Sequence, residues 1–348
     1  MSQSIVWLSY GVLFLFLFLV ILAVYMMFDA HRYQQKLQRI DHYMKQYNDD
    51  CYAYFIAGDD TRPLTFQHDE KCQAITYTLE SYVAYVQDAA IFTRIQRYAE
   101  AQYASTYRKL LRSYSTPKRL NVLYRIFSFQ MKSLLPDVKT LLSKRISQRE
   151  RVEALKIVAK LDETSIETFY MQHRARLHDG EIEVIVSCLS DDMIYQIVDQ
   201  MHEDTRWLRA ALKVMNRRQL QDGSTAVHAL LQHEDRQVRL AAVRILSTIG
   251  TTEPLRTFES LFTSEDPIER RLFSKMAVHY PIEVTYDYMY ALAQDKVFDV
   301  RAEAIKSLTN YANHQSIFRR MLASLDDLYT TEMIQAYMSG ELVNDAVH

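Results

Sequence analysis

Two pairs, His202-Glu203 and His233-Glu234, stand 31 positions apart and join an imidazole to a carboxylate, donor types that divalent transition metals accept. Converging on one ion, they would make a metal centre. The series does not continue, because Ser264-Glu265 follows at the same interval. All three lie in polar runs between apolar stripes, where capping and solvation explain them more simply. The Asp-Asp pairs Asp59-Asp60, Asp191-Asp192 and Asp326-Asp327 read as turns and caps, and Gly58-Asp59-Asp60 is too short to mark a polymerase. The sequence carries no P-loop, no GxSxG elbow, no HExxH and no Gly-rich dinucleotide fingerprint. The expectation is a chain that is not an enzyme, with no catalytic residue, no metal, no cofactor and no small-molecule substrate.

Two further sets of charged residues keep the same interval. Arg239, Arg270 and Arg301 share one position, and Asp235 and Asp266 precede the first two by four residues, a spacing that favours an ion pair along a helix surface. They are expected to form an internal Asp-Arg ladder tying neighbouring units together. Five residues further on, Lys213, Arg244, Lys275 and Lys306 recur in four successive units. Each lies two residues, about 200° around a helix, from an alanine position of the core, so it points outward. Aligned on one face, they would form a cationic stripe suited to a partner with an acidic surface.

What positions these residues is a repeat of 31 over residues 201–312. QHEDRQVRLAAVRILSTIG from Gln232 has relatives in MHEDTRWLRAALKVM from Met201, SEDPIERRLFSKMAV from Ser264 and KVFDVRAEAIKSLTNYA from Lys296. Within one unit Ala226, Val227, Leu230 and Leu231 make one helical stripe, and Val238, Ala242, Ile245, Leu246 and Ile249 make a second that stops at Gly250. The unit is therefore a helical hairpin. Asp204, Asp235 and Asp266 are placed to cap the second helix, and Pro267 fits its first turn. Ala211, Ala242 and Ala304 share a core position that lets helices approach, and Phe273 interrupts that series. A period of this length marks units that bury their apolar faces only against neighbours.

The pattern Asp235, Val238, Arg239, Ala242, Leu246, partly kept as Val300, Arg301, Ala304 and Leu308, resembles the HEAT-repeat family, including its HEAT-like and bilin-lyase-type repeats. The resemblance implies an all-α, right-handed α-solenoid of helical hairpins whose second helices line a binding face. It is clear over 201–312 and weaker upstream, where RERVEALKIVAKL from Arg149 and LNVLYRIF from Leu120 keep parts of the stripe, and downstream, where Thr331 and Glu332 replace Val-Arg in a terminal cap. HEAT-like metalloenzymes that hydroxylate a modified lysine carry His-Glu dyads inside the second helix, at positions corresponding to Leu240 and Ala241; the pairs here lie at the turn. The match to bilin lyases stops at the generic repeat.

Ahead of the repeats, Ile5 to Phe28 are 24 residues without a charge, enough at about 1.5 Å each to span roughly 30 Å of hydrocarbon. Trp7, Tyr10 and Tyr25 lie near its ends. A cleaved signal peptide fits less well, since the run is long, lacks a basic leader and is followed by no small-x-small site. Arg32, Lys36, Arg39 and Lys45 follow the span and none precedes it, which puts the N-terminus outside and the remainder in the cytoplasm. Cys51, Cys72 and Cys188, odd in number and widely spaced, suit a reducing compartment, and no Asn-x-Ser/Thr acceptor occurs.

Six glycines, six prolines and 49% apolar residues point to a nearly all-helical chain, and a net charge of −2 argues against general nucleic-acid binding. The expected plan is an extracytoplasmic 1–4, a transmembrane helix 5–28, a juxtamembrane helix and loop 29–72 with its break at Asn48 to Pro63, an irregular Tyr-rich cap 73–132, HEAT-like repeats 133–340 and a tail 341–348. Tyr77, Tyr82, Tyr85, Tyr98, Tyr103, Tyr107 and Tyr114 are expected to pack rather than bind a ligand. The leading functional expectation is a membrane-anchored cytoplasmic scaffold for a protein partner. The alternatives are an accessory subunit of a membrane enzyme, such as a polysaccharide-synthesising glycosyltransferase, and a HEAT-like enzyme, lyase or metal-dependent.

Overall fold

A computed structural model of the chain describes residues 2–59, 64, 69–85, 88–200, 203–220, 224–325 and 327–341. Among the described residues there are nineteen α-helices and no strand. The chain divides into two compact units, residues 1–161 and 162–348.

The first unit opens with α1 (Ser2–Gln46), a continuous helix of 45 residues. Its Leu13 to Phe28 stretch exposes every side chain, and α1 is long and apolar enough to cross a membrane by length and composition. The same helix then enters the protein interior without a break: Ile40 is 3% exposed, and the Arg39 guanidinium donates two-pronged to the Glu70 carboxylate at 2.9 to 3.2 Å. Glu70 belongs to α3 (Asp69–Tyr85), against which α1 packs.

The break expected between Asn48 and Pro63 is largely helical. α2 (Asn48–Cys51) runs into a π-helical turn, Tyr52–Ala57, which buries Cys51 and Phe55. Gly58 ends it at φ 79°, a left-handed conformation that a side chain would strain. The Arg94 guanidinium meets two of the orphaned carbonyls, donating to Phe55 O at 2.9 Å and Ile56 O at 3.1 Å. Short polar residues in this stretch suggested a loop, but the buried aromatic ring decides its conformation. Asp60 and Pro63 lie outside the described residues.

Beyond α3, the region expected as an irregular cap already forms hairpins. α4 (Ala89–Leu111) packs on α5 (Thr116–Phe129), α6 (Leu135–Leu142) packs on α7 (Gln148–Leu161), and α5 lies beside α7. Tyr98, Tyr103 and Tyr107 on α4 are buried, with Tyr98 edge-on to Phe55 at 5.1 Å and Tyr103 stacked on Tyr107 at 5.5 Å. Tyr85 and Tyr114 are exposed, so the packing role is confined to part of the stripe. Arg119 at the start of α5 pairs with the fully buried Glu150 of α7, whose second oxygen accepts from Ser147.

The second unit is a stack of hairpins. α8 (Glu163–His173) and α9 (Asp179–Val186) come first. Then α10 (Asp191–Asp199) pairs with α11 (Thr205–Arg218), and α12 (Ser224–Ala229) pairs with α13 (Arg236–Ile249). α14 (Glu259–Phe262) pairs with α15 (Pro267–Ala277), α16 (Ile282–Leu292) with α17 (Phe298–Leu308), and α18 (His314–Leu322) with α19 (Leu328–Ser339). The second helices α9, α11, α13, α15, α17 and α19 touch in that order and form one layer, so the 31-residue period becomes a solenoid. Ala211, Ala242 and Ala304 are fully buried where these helices approach. Phe273 holds the same position beside α14, a first helix of a single turn, and packs its ring against Phe262 at 5.5 Å and Tyr288 at 5.3 Å. A large ring fills the space that a short first helix leaves. Residues 342–348 of the expected tail lie outside the described residues.

Because Ala242 and Leu246 are fully buried in a layer whose helices depend on one another, Ala242→Asp or Leu246→Asp should unfold several hairpins together, costing several kcal/mol. Loss of helicity by circular dichroism in one cooperative step checks this. A small, local loss would contradict it.

Candidate functional site

The turn between first and second helix repeats in atomic detail. Asp204, Asp235 and Asp266 each accept from backbone N-H groups at the start of α11, α13 and α15, as the capping expectation required. Two residues ahead of the latter two caps, His233 Nδ1 accepts from Asp235 N at 3.0 Å and Ser264 Oγ accepts from Asp266 N at 3.1 Å. One repeat later Asp295 Oδ1 accepts from Val297 N at 2.8 Å. Imidazole, hydroxyl and carboxylate thus do one job at one repeat position, that of a turn acceptor. His233 serves as that acceptor in its turn, and Glu234 is exposed beside it. His202 lies outside the described residues. Among the described residues no group of three or more His, Cys, Asp or Glu side chains is placed to hold a metal.

The expected ion pairs along α13 and α15 are not made among the described residues. Asp235 and Asp266 turn toward the N-H groups they cap, and the arginines four residues on turn to the turn's carbonyls. Arg239 Nη1 donates to His233 O at 2.7 Å, Arg270 Nη1 to Ser264 O at 2.8 Å and Arg301 Nη1 to Asp295 O at 2.7 Å. Each arginine clamps its own hairpin. Ties between units use other pairs: Arg174 with Asp204 at 2.9 Å, Arg236 with Asp266 at 2.6 Å, and Arg270 with Asp295 through two bonds at 2.6 and 2.9 Å. Arg270 serves both roles and is buried with its partner. Burial alone would raise the Asp295 carboxyl, but the Arg270 hydrogen bonds outweigh it and hold that group below the usual carboxylate range. Hydrogen bonds from Arg236 and the Ile268 N-H likewise lower Asp266.

The four cations Lys213, Arg244, Lys275 and Lys306 fall on one face of the second-helix layer. A cleft of about 860 Å³ runs from α11 to α17 and is lined by Arg244, Lys275 and Lys306 together with Arg271, His279 and Glu303. A smaller depression beside it joins Arg244 to Lys213. The stripe is not electrostatically uniform. Lys213 and Arg217 share Glu183, and Lys275 and Arg271 share Glu303 at 3.6 and 3.4 Å. Arg244 and Lys306 make no ion pair among the described residues. Sequence spacing located the cations, whereas the carboxylates that answer them sit about a repeat away on other helices and have no periodic signature.

Compared with known families, residues 191–277 match the HEAT repeats model. With the hairpin stack, this makes the fold an all-α solenoid with HEAT repeats over residues 191–277, an architecture that suggests a protein-interaction scaffold. No curated protein matches the chain.

Arg270→Ala leaves Asp295 buried without its partner and should cost about 3 to 5 kcal/mol of stability. The carboxyls of Asp266 and Asp295 lie below their unfolded value near about 3.9, so the stability they contribute is complete above that pH and is lost as pH falls through the lowered native values. Melting of the wild type should therefore weaken below about pH 4, and Arg270→Ala should flatten that dependence. An unchanged acid profile in the variant would show that Asp295 is not held by Arg270.

Proposed function

We propose that this protein is a non-catalytic scaffold, held in a membrane by residues 5–28, whose HEAT-repeat unit lies in the cytoplasm and docks a protein partner with an acidic surface. The observation that carries the reading is the face across α11 to α17, where the cleft and the depression beside it gather cations of four successive repeats, two of which make no ion pair among the described residues. Anchoring is supported by α1, whose exposed apolar stretch from Leu13 to Phe28 has no covering element and continues into a helix that packs through Ile40. Water does not tolerate so long an apolar surface on a stable monomer, and a bilayer does. The orientation rests on Arg32, Lys36, Arg39 and Lys45 following the span.

Protease added to intact cells should spare the repeat unit and cut it only after the membrane is opened; digestion in intact cells would reverse the orientation. Changing Lys213, Arg244, Lys275 and Lys306 together to Glu should abolish crosslinked capture of the partner from membranes. Helicity should be kept, and the control for stability is Arg244→Glu with Lys306→Glu, whose exposed charges pair with no carboxylate among the described residues and contribute within roughly 0.5 kcal/mol each. Capture by the wild type should also weaken with salt, since charges more than about 8 to 10 Å apart are screened at physiological ionic strength. Undiminished capture by the quadruple variant would remove this face from the docking surface.

A further inference from the structure

We infer that the cleft over α11 to α17 binds an extended acidic peptide segment with a carboxylate at every third residue, that Arg244 and Lys306 are its receptors, and that Glu303 is a resident carboxylate the segment displaces. This rests on the docking face proposed above and specifies what that face takes.

The spacing comes from the repeat. Arg244, Lys275 and Lys306 hold one position on α13, α15 and α17, which pack side by side, and adjacent packed helices lie about 8 to 10 Å apart. A polyproline-II chain has three residues per turn and rises about 3.1 Å per residue, so every third side chain returns to one side after about 9 Å. The two periods match.

The lining favours polypeptide over a phosphate-rich ligand. Glu303 stands inside the cleft and opposes any anion, so a ligand with widely spaced charges is opposed at one point and a continuous phosphate backbone along its length. Ile268 is 52% exposed on the same wall and offers contact to an apolar side chain.

Glu303 sets the sign of the most specific test. Its contacts to Arg271 and Lys275, at 3.4 and 3.6 Å, exceed the roughly 2.7 to 2.9 Å of a tight charge-assisted bond. It therefore occupies the middle cation loosely, as an incoming carboxylate would. Removing its charge frees Arg271 and Lys275 for the ligand.

The experiment uses the full chain in nanodiscs and a fluorescein-labelled peptide of about ten residues, long enough to cross the cleft, with glutamate at every third position and serine or proline between. Comparators are the same residues with the glutamates contiguous, a single-stranded oligonucleotide of equal charge, and phosphatidylserine vesicles. The spaced peptide should bind about ten-fold tighter than the contiguous one, since each tenfold corresponds to about 1.4 kcal/mol, within reach of one aligned charge pair. Arg244→Glu and Lys306→Glu should each weaken it by about ten-fold, Arg244→Gln and Lys306→Gln by less, and Glu303→Gln should tighten it by about three-fold, all with unchanged melting. Equal affinity for the two peptides, weaker or unchanged binding by Glu303→Gln, or preference for oligonucleotide or vesicle with the same sensitivity to Arg244 and Lys306 would each overturn the inference. If the quadruple variant loses partner capture while the spaced peptide shows no preference, this inference fails and the scaffold reading stands. If capture survives that variant, the docking face itself fails.

Discussion

The hairpins α12–α13 and α14–α15 depend on how the inter-helix turn is satisfied. A short turn between two buried helices leaves N-H groups facing one way and carbonyls the other, and neither set reaches a helical partner. Here the donors are met by the capping carboxylate and by the side chain two residues before it, and the acceptors by an arginine six residues on. With the turn closed, the second helix leaves at a fixed angle and its small residues meet the next unit. The alanine positions can then be fully buried, and the outward positions are placed on a common face. Chemistry at the turn thus precedes packing in the layer, and packing precedes the cleft.

This order explains what could be read from the sequence. The hairpins, their caps and the outward cations follow from residues within one period, and Asp235, Gly250, Pro267 and Lys275 stand where that period put them. The partners of charged groups did not follow. Arg239 was expected to meet Asp235 because four residues separate them, yet the cap claims the carboxylate and the turn claims the guanidinium. Local spacing gives neighbours on a helix surface but not which of two competing acceptors wins. The same limit applied at Tyr52 to Ala57, where burial of Phe55 overrides the loop character of flanking residues. It applied again at α4 and α5, whose hairpin lacks the repeat's signature residues.

The cationic face shows how a solenoid avoids a uniform field. Glu183 and Glu303 each divide one charge between two cations from the neighbouring second helix, which lowers self-repulsion along the stripe, and Arg244 and Lys306 have no ion-pair partner among the described residues. A wholly bare row would attract any polyanion. Interspersed carboxylates break that field, because an anion placed out of register would meet Glu303 rather than a cation.

The uninterrupted course of α1 has a mechanical meaning. Ile40 lies twelve residues past Phe28, about 18 Å along a single helix with no proline or glycine between them. The first unit is then mounted on a stiff post of fixed height and not on a tether. Tilt or rotation of the apolar segment passes into α3 through the Arg39–Glu70 pair with little slack. A flexible leash of the same length would leave that unit free to sample a wide volume around the apolar segment; a continuous helix restricts it to a narrow shell about that segment's end.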